Sequence, residues 1–299
     1  MSPNRTSRPR SVAGAALSLV LAFATFGIIG TASGASAATT SPIFYLDLGA
    51  SVSVGVQPTV TDPRGQPTNR GYANRLVGLE AARGVTLDLT KLGCPGESTT
   101  TMMTGKSGCY TAPDNQLADA VTFLQAHHDQ TGLVTIDLGF NDIAPCLRGS
   151  RVDFTCVSQS LALVSTQLPE IVATLKSAAG PNVTFIGLNH YNPYTAFALS
   201  GARGALFARD SVTVLQQLNE VLQQVYTANG IAMANVVNSF SHDATQGSRL
   251  GFRTLPINVQ EACNLTWMCR TGRFGPNLHP NNAGYEAITD AIAALLPKW

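Results

Sequence analysis

Apolar residues recur along this chain in short blocks of two kinds. Residues 43–48 read Ile-Phe-Tyr-Leu-Asp-Leu, an apolar run led by β-branched and aromatic side chains, which predicts a strand. The run breaks at Gly49, and small and β-branched residues carry it to Gly55. Residues 72–83 place Tyr72, Leu76, Leu79 and Ala82 on one helical face. Strands are then expected over 85–92, 133–138, 183–188 and 231–237. Helices are expected over 116–127 and 157–178, the second stopped by Gly180 and Pro181. Asp210 is read as the cap of a further helix reaching Asn229-Gly230. Residues 239–280 read mostly as loop, and 281–296 as a terminal amphipathic helix. Strands alternating with helices predict an α/β fold, a parallel sheet covered on both faces in three α/β/α layers.

The front of the chain departs from this pattern. Arg5, Arg8 and Arg10 precede an uncharged apolar stretch over 12–29, and Ala35-Ser36-Ala37 offers a small-x-small cleavage site. Residues 1–37 are therefore expected to be a secretory signal peptide, and 38–299 the mature domain. A retained membrane anchor is the alternative, since the apolar run approaches a span. Losing three arginines and no acid turns 19 basic side chains into 16 against 18 acids, a net charge near −2. That gives no support for nucleic-acid binding, which needs a basic face. About 262 residues remain, enough for one domain with a full core.

Six cysteines suit an exported chain. Cys94 with Cys109, Cys146 with Cys156 and Cys263 with Cys269 form three successive local pairs, the simplest of fifteen connectivities. Zinc is the weaker reading, because no Cys-x-x-Cys occurs and no histidine lies beside a cysteine.

The candidate chemistry gathers after the strands. Ser51 follows the first strand, Gly96 the second and Asn141 the third, so in a parallel sheet all three open on one edge. A helix starting near Ser51 would aim unpaired N–H groups at the same spot. Alone, Ser51 suits a helix cap equally well. His279 sits in a loop ahead of the last helix. A serine nucleophile needs a base in reach and donors for the oxyanion. His279, with the N–H groups of Ser51 and Gly96 and the Asn141 amide, would supply both.

Four blocks now carry a resemblance. Gly49-Ala50-Ser51 with Gly55, Gly93-Cys94-Pro95-Gly96-Glu97-Ser98-Thr99, Gly139-Phe140-Asn141-Asp142, and His279-Pro280-Asn281 with Gly284-Tyr285 stand in order. Together they resemble the SGNH, or GDSL-type, hydrolases, in particular the secreted, disulfide-rich esterases and lipases of actinobacteria. The resemblance spans about residues 43–297 and implies a flavodoxin-like sandwich. It implies Ser51 as nucleophile, His279 as base, and Ser51, Gly96 and Asn141 as the oxyanion hole. Two positions depart from it. The usual aspartate of the first block is Ala50, and the acid three residues before the histidine is Pro276. No acid lies between Glu261 and Glu286, so the backbone carbonyl of Pro276 is expected to orient His279, with Asp137 or Asp243 as distant alternatives. Lacking a carboxylate partner, the base is expected to titrate near the ordinary histidine value of about 6.5.

These readings predict a secreted, extracellular carboxylic-ester hydrolase, monomeric, acting on small-molecule or lipid esters. It is expected to need no metal or organic cofactor, and to keep no stable membrane anchor once the leader is removed. Deacetylation of a glycan is one alternative. A non-catalytic glycan- or lipid-binding protein that keeps the fold is another.

Overall fold

Alternate residues of the first strand part to opposite faces of a sheet. In the computed structural model, which describes residues 42–241, 243–250 and 253–299, β1 is Ile43–Gly49 and is buried throughout. Phe44, Leu46 and Leu48 point into one apolar layer, Ile43 and Tyr45 into the other. That period of two is what a strand covered on both sides requires. The expected leader over 1–37 lies outside the described residues.

The chain continues through α1 (Tyr72–Ala82), β2 (Leu87–Lys91), α2 (Thr99–Thr104), α3 (Gln116–Ala126), β3 (Gly132–Asp137) and α4 (Phe140–Ile143). A small hairpin, β4 (Leu147–Arg148) and β5 (Arg151–Val152), leads into α5 (Phe154–Ala178) and β6 (Val183–Leu188). A 3₁₀ segment over Pro193–Ser200 precedes α6 (Gly201–Ala228), β7 (Ala232–Ala234) and α7 (Val236–Ser239). Then come β8 (Gly247–Leu250), β9 (Arg253–Pro256), α8 (Ile257–Leu265) and α9 (Asn282–Ala293). The main sheet runs β2-β1-β3-β6-β7, every neighbouring pair parallel. Counted by its own strands this is the order 2-1-3-4-5, the flavodoxin-like arrangement. Its strand order reverses between β1 and β3, and the crevice at their carboxyl ends is where such sheets bind ligands. Side chains of α3, α5 and α6 fill one layer, and those of α1 and α9 the other.

The three cysteine pairs form as the spacing suggests: Cys94–Cys109, Cys146–Cys156 and Cys263–Cys269. Several boundaries differ from expectation. No helix begins at Ser51; residues 50–55 form a tight turn. Asp210 lies inside α6 rather than capping it, because Phe207, Ala208, Ser211 and Val214 continue the buried stripe of one helix. The last strand stops at Ala234, where the Asn235 side chain accepts from Asn238 N–H and starts α7. The stretch 239–280 carries the β8–β9 hairpin and α8, not only loop.

Asp47 alternates into the α1 side of the sheet. Its Oδ1 accepts from Tyr72 Oη at 2.6 Å and Thr135 Oγ1 at 2.8 Å. Burial pushes its carboxyl up to about 8, against the pull of those two hydrogen bonds. The folded state therefore keeps a proton that the unfolded chain releases near pH 4. Stability from this group is full below that pH and is lost as pH rises towards 8. Asp47→Asn cannot ionise. Its melting temperature relative to wild type is expected to rise by several degrees from pH 4 to pH 8. Melts across that range read it, and a constant difference would uncouple Asp47 ionisation from folding.

Candidate active site

The turn after β1 is built for a close approach of backbones. Gly49 has φ +128°, and a Cβ there would stand 2.1 Å from the Asp137 carbonyl oxygen. Only glycine fits. The Gln116 side chain brackets it, accepting from Gly49 N–H at 2.7 Å and donating to its carbonyl at 3.0 Å. Ala50 N–H then donates to the Asp137 carbonyl at 3.0 Å, and Ser53 N–H to Asp137 Oδ2 at 3.2 Å. Val56 N–H closes the turn on the Ser51 carbonyl at 2.9 Å. Ser51 is held out into a cavity while its neighbours are tied to the end of β3.

Two loops meet it. Cys94 N–H donates to the Gly49 carbonyl at 2.9 Å, so the loop after β2 runs beside the turn and carries Gly96 to the same cavity. Asn141 and Asp142 then lock that loop to the one after β3. Asn141 Nδ2 donates to the Glu97 carbonyl at 2.9 Å, and the Asp142 carboxylate accepts from Thr99 N–H and, at 2.6 Å, from Thr99 Oγ1. One Asn141 amide hydrogen is thereby used, and its second remains. Among the described residues the N–H groups of Ser51 and Gly96 have no hydrogen-bond partner.

His279 arrives from the loop before α9, which Cys263–Cys269 and the Thr266↔Pro280 bridge hold. The Pro276 carbonyl is not what meets its ring. Nδ1 lies 2.7 Å from Asn277 Oδ1, and His279 N–H donates to the same oxygen at 3.0 Å. Asn277 Nδ2 donates to the Arg64 carbonyl at 2.7 Å. These contacts decide the tautomer. With its NH₂ on a carbonyl, the amide must turn its oxygen to the ring, so Nδ1 carries the hydrogen and Nε2 is left as the base. The side chain of the next residue reaches the ring instead, because one Asx contact takes both His279 N–H and Nδ1 on the Asn277 oxygen. The signal in the sequence is Asn277 itself, an amide two residues before His279. The acid alternatives are engaged elsewhere: Asp243 Oδ1 accepts from Gln216 at 2.8 Å, and Asp137 faces His190. Burial pushes His279 down to about 4, below the ordinary value expected from sequence.

Ser51, Gly96, Asn141 and His279 line one cavity of about 220 Å³ at the β1/β3 reversal. Its floor holds a pair the sequence did not single out together. Asp137 Oδ1 lies 3.5 Å from His190 Nδ1, while His190 Nε2 meets the Leu138 carbonyl at 2.7 Å. Burial raises the Asp137 carboxyl, opposed by His190 and by Ser53 and Ala50 N–H. A wider groove of about 570 Å³ shares Gly96, Asn141 and Leu278 with the cavity. Leu147, Tyr194, Phe197, Met268 and Pro276 make it apolar, with Arg148 at its side.

Residues 48–287 match the family described as GDSL-like lipase/acylhydrolase. Among solved structures, the chain is similar to an extracellular lipase from Streptomyces rimosus at 16% identity and a TM-score of 0.53, covering 85% of this chain and 100% of that one. It is similar to the acetylxylan esterase Axe2 from Geobacillus stearothermophilus at 16% identity and 0.52, covering 86% and 94%. It also resembles a phospholipase A1 from Streptomyces albidoflavus at 15% identity and 0.51, covering 85% and 99%. No curated protein is similar enough in sequence to count as a match.

Proposed function

The chain belongs to the GDSL-like lipase/acylhydrolase family and is a carboxylic-ester hydrolase, and from that premise we propose a Ser51–His279–Asn277 centre acting on esters with an apolar acyl chain. The observation that carries this reading is the convergence of Ser51, Gly96, Asn141 and His279 on one cavity, with the Asn277 amide on the far side of the histidine ring. Ser51 Oγ attacks the ester carbonyl as His279 Nε2 takes its proton. The oxyanion is met by Ser51 N–H, Gly96 N–H and the second hydrogen of Asn141 Nδ2. The imidazolium then gives its proton to the leaving alcohol, and an acyl-Ser51 ester remains. Water attacks that ester with His279 again as base, releasing the acid and restoring the serine.

The apolar groove beside the cavity favours an acyl chain over an acetyl group as the part bound. Three disulfides favour an oxidising, extracellular destination. Among the described residues no helix is long and apolar enough to cross a membrane.

Chromogenic esters of rising acyl length, assayed beside acetylated sugars on wild type and Ser51→Ala, test the reading. Turnover is expected to be higher on medium acyl chains than on acetate and to vanish in the mutant. A preference for acetylated sugars would transfer the function to glycan deacetylation. Binding without turnover in wild type would make it a non-catalytic protein.

Asn141→Ala is expected to lower kcat by about 10²–10³ with little change in KM, because an oxyanion donor acts in the transition state. Steady-state kinetics on a short-chain ester decide this. A change confined to KM would make Asn141 a substrate-binding residue.

A further inference from the structure

The β4–β5 hairpin sets two like charges against each other. Arg148 is paired directly opposite Arg151 across a two-residue turn, Gly149 at φ 60° and Ser150 at φ 58°. Directly paired residues project from the same face of a ladder, and like charges there are destabilising. The hairpin is nonetheless pinned in place: the Cys146–Cys156 disulfide spans it, and Asp153 N–H donates to the Cys146 carbonyl at 2.9 Å.

Arg148 lines the apolar groove that leads to Ser51. Arg151 lines a second concavity with Arg203, Leu206, Phe207 and Asp210. Leu206 is 53% exposed; Phe154, the first residue of α5, is 52% exposed, and Leu199, just ahead of α6, 47%. Among the described residues none of Arg148, Arg151 and Arg203 has a carboxylate partner within ion-pair distance. The local acids are already engaged. Asp210 pairs with Arg209 at 2.8 Å, and Asp153 caps α5 through Cys156 N–H. This corner carries four arginines against two aspartates, on a body whose residues 38–299 hold 16 basic side chains against 18 acids.

We propose that this corner docks on an anionic phospholipid surface, the arginines on the headgroups and Leu206 and Phe154 entering the acyl boundary. Exposed apolar side chains set among unpaired cations match a surface that is itself apolar beneath a negative layer. Arg148, paired with Arg151, also lines the apolar groove, which shares Gly96, Asn141 and Leu278 with the Ser51 cavity, so an ester chain leaving the bilayer has a route towards Ser51. That route rests on the ester-hydrolase reading; the docking itself does not.

Co-sedimentation with vesicles tests it, using phosphatidylcholine alone and phosphatidylcholine with about 30% phosphatidylglycerol, at low and high salt. Wild type and Ser51→Ala are expected to bind the anionic vesicles at least about tenfold tighter than the zwitterionic ones, and to lose that preference in high salt. Arg151→Glu/Arg203→Glu should weaken binding by about 20-fold or more and leave turnover of a soluble short-chain ester unchanged. Leu206→Ser should weaken it on anionic vesicles while keeping the salt dependence. Wild type that ignores anionic vesicles overturns the proposal, as does a folded double variant that binds like wild type. Vesicle binding by a wild type that hydrolyses no ester would sink the catalytic reading alone.

Discussion

Replacing Ser51 by alanine is expected to abolish ester turnover, lowering kcat by on the order of 10⁶, while the fold and melting temperature stay close to wild type. The change removes one oxygen that faces the cavity. The contacts that shape the turn fall on its main chain: Val56 N–H on the Ser51 carbonyl, Ala50 N–H on the Asp137 carbonyl, and the Gln116 side chain on the N–H and carbonyl of Gly49. None involves the Ser51 hydroxyl, so its loss leaves the turn intact. With the nucleophile gone, the oxyanion donors still polarise a bound carbonyl, and about 10³–10⁴ of rate over water survives. The base has then nothing to deprotonate. Ser51→Ala/His279→Ala should therefore be no slower than Ser51→Ala alone. Burst kinetics with a chromogenic ester supply a second reading: wild type should accumulate acyl-enzyme and the mutant should not. A folded Ser51→Ala enzyme keeping more than about 1% of wild-type kcat would remove the nucleophile from the mechanism.

The placement of Ser51, Gly96 and Asn141 after strands was legible from sequence, because a glycine stands at the end of each strand or two residues beyond it: Gly49, Gly93 and Gly139. Gly49 and Gly139 both hold positive φ, and Ser51 and Asn141 each stand two residues after them. A parallel sheet then brings those ends to one edge whatever the loops do. The region after residue 239 was harder to read, since β8, β9 and α8 are short and the sheet does not include β8 or β9. Asp210 misled for a simpler reason. A cap residue and a surface residue within a long helix look alike, and only the buried stripe before it, at Gly204, Phe207 and Ala208, reveals that α6 has already begun. The backbone carbonyl of Pro276, three residues upstream, is the partner the sequence suggests for His279, whereas loop geometry puts the neutral amide of Asn277, two residues upstream, on its ring. The Arg148–Arg151 pairing was out of reach for the same reason: four residues of hairpin carry no apolar periodicity.

Asn277 carries the remaining large effect. Asn277→Ala takes away the acceptor of Nδ1–H and is expected to lower kcat by about 10³, short of the 10⁴ seen when a triad acid is exchanged and the ring takes the wrong tautomer. The amide fixes the tautomer as well as a carboxylate would, but it brings no charge to the imidazolium formed during attack. With burial unopposed by a negative partner, His279 is pushed down to about 4. The base works only when neutral, and a lowered pKa keeps it neutral into acid. Wild-type kcat/KM should thus hold down to about pH 5 and fall only near pH 4. Asn277→Asp reverses the balance. A carboxylate at hydrogen-bond distance favours the charged ring and should move the acidic limb upward by about 1–3 pH units. The same charge supports the developing imidazolium, so kcat at pH 8 and above should equal or exceed wild type. The lost Nδ2 contact to the Arg64 carbonyl is exposed and can be replaced by water. Bell-shaped profiles of all three enzymes on one soluble ester decide the matter. If Asn277→Ala keeps near-normal kcat, or Asn277→Asp leaves the acidic limb where it was, the amide is a loop brace and His279 is oriented by another group.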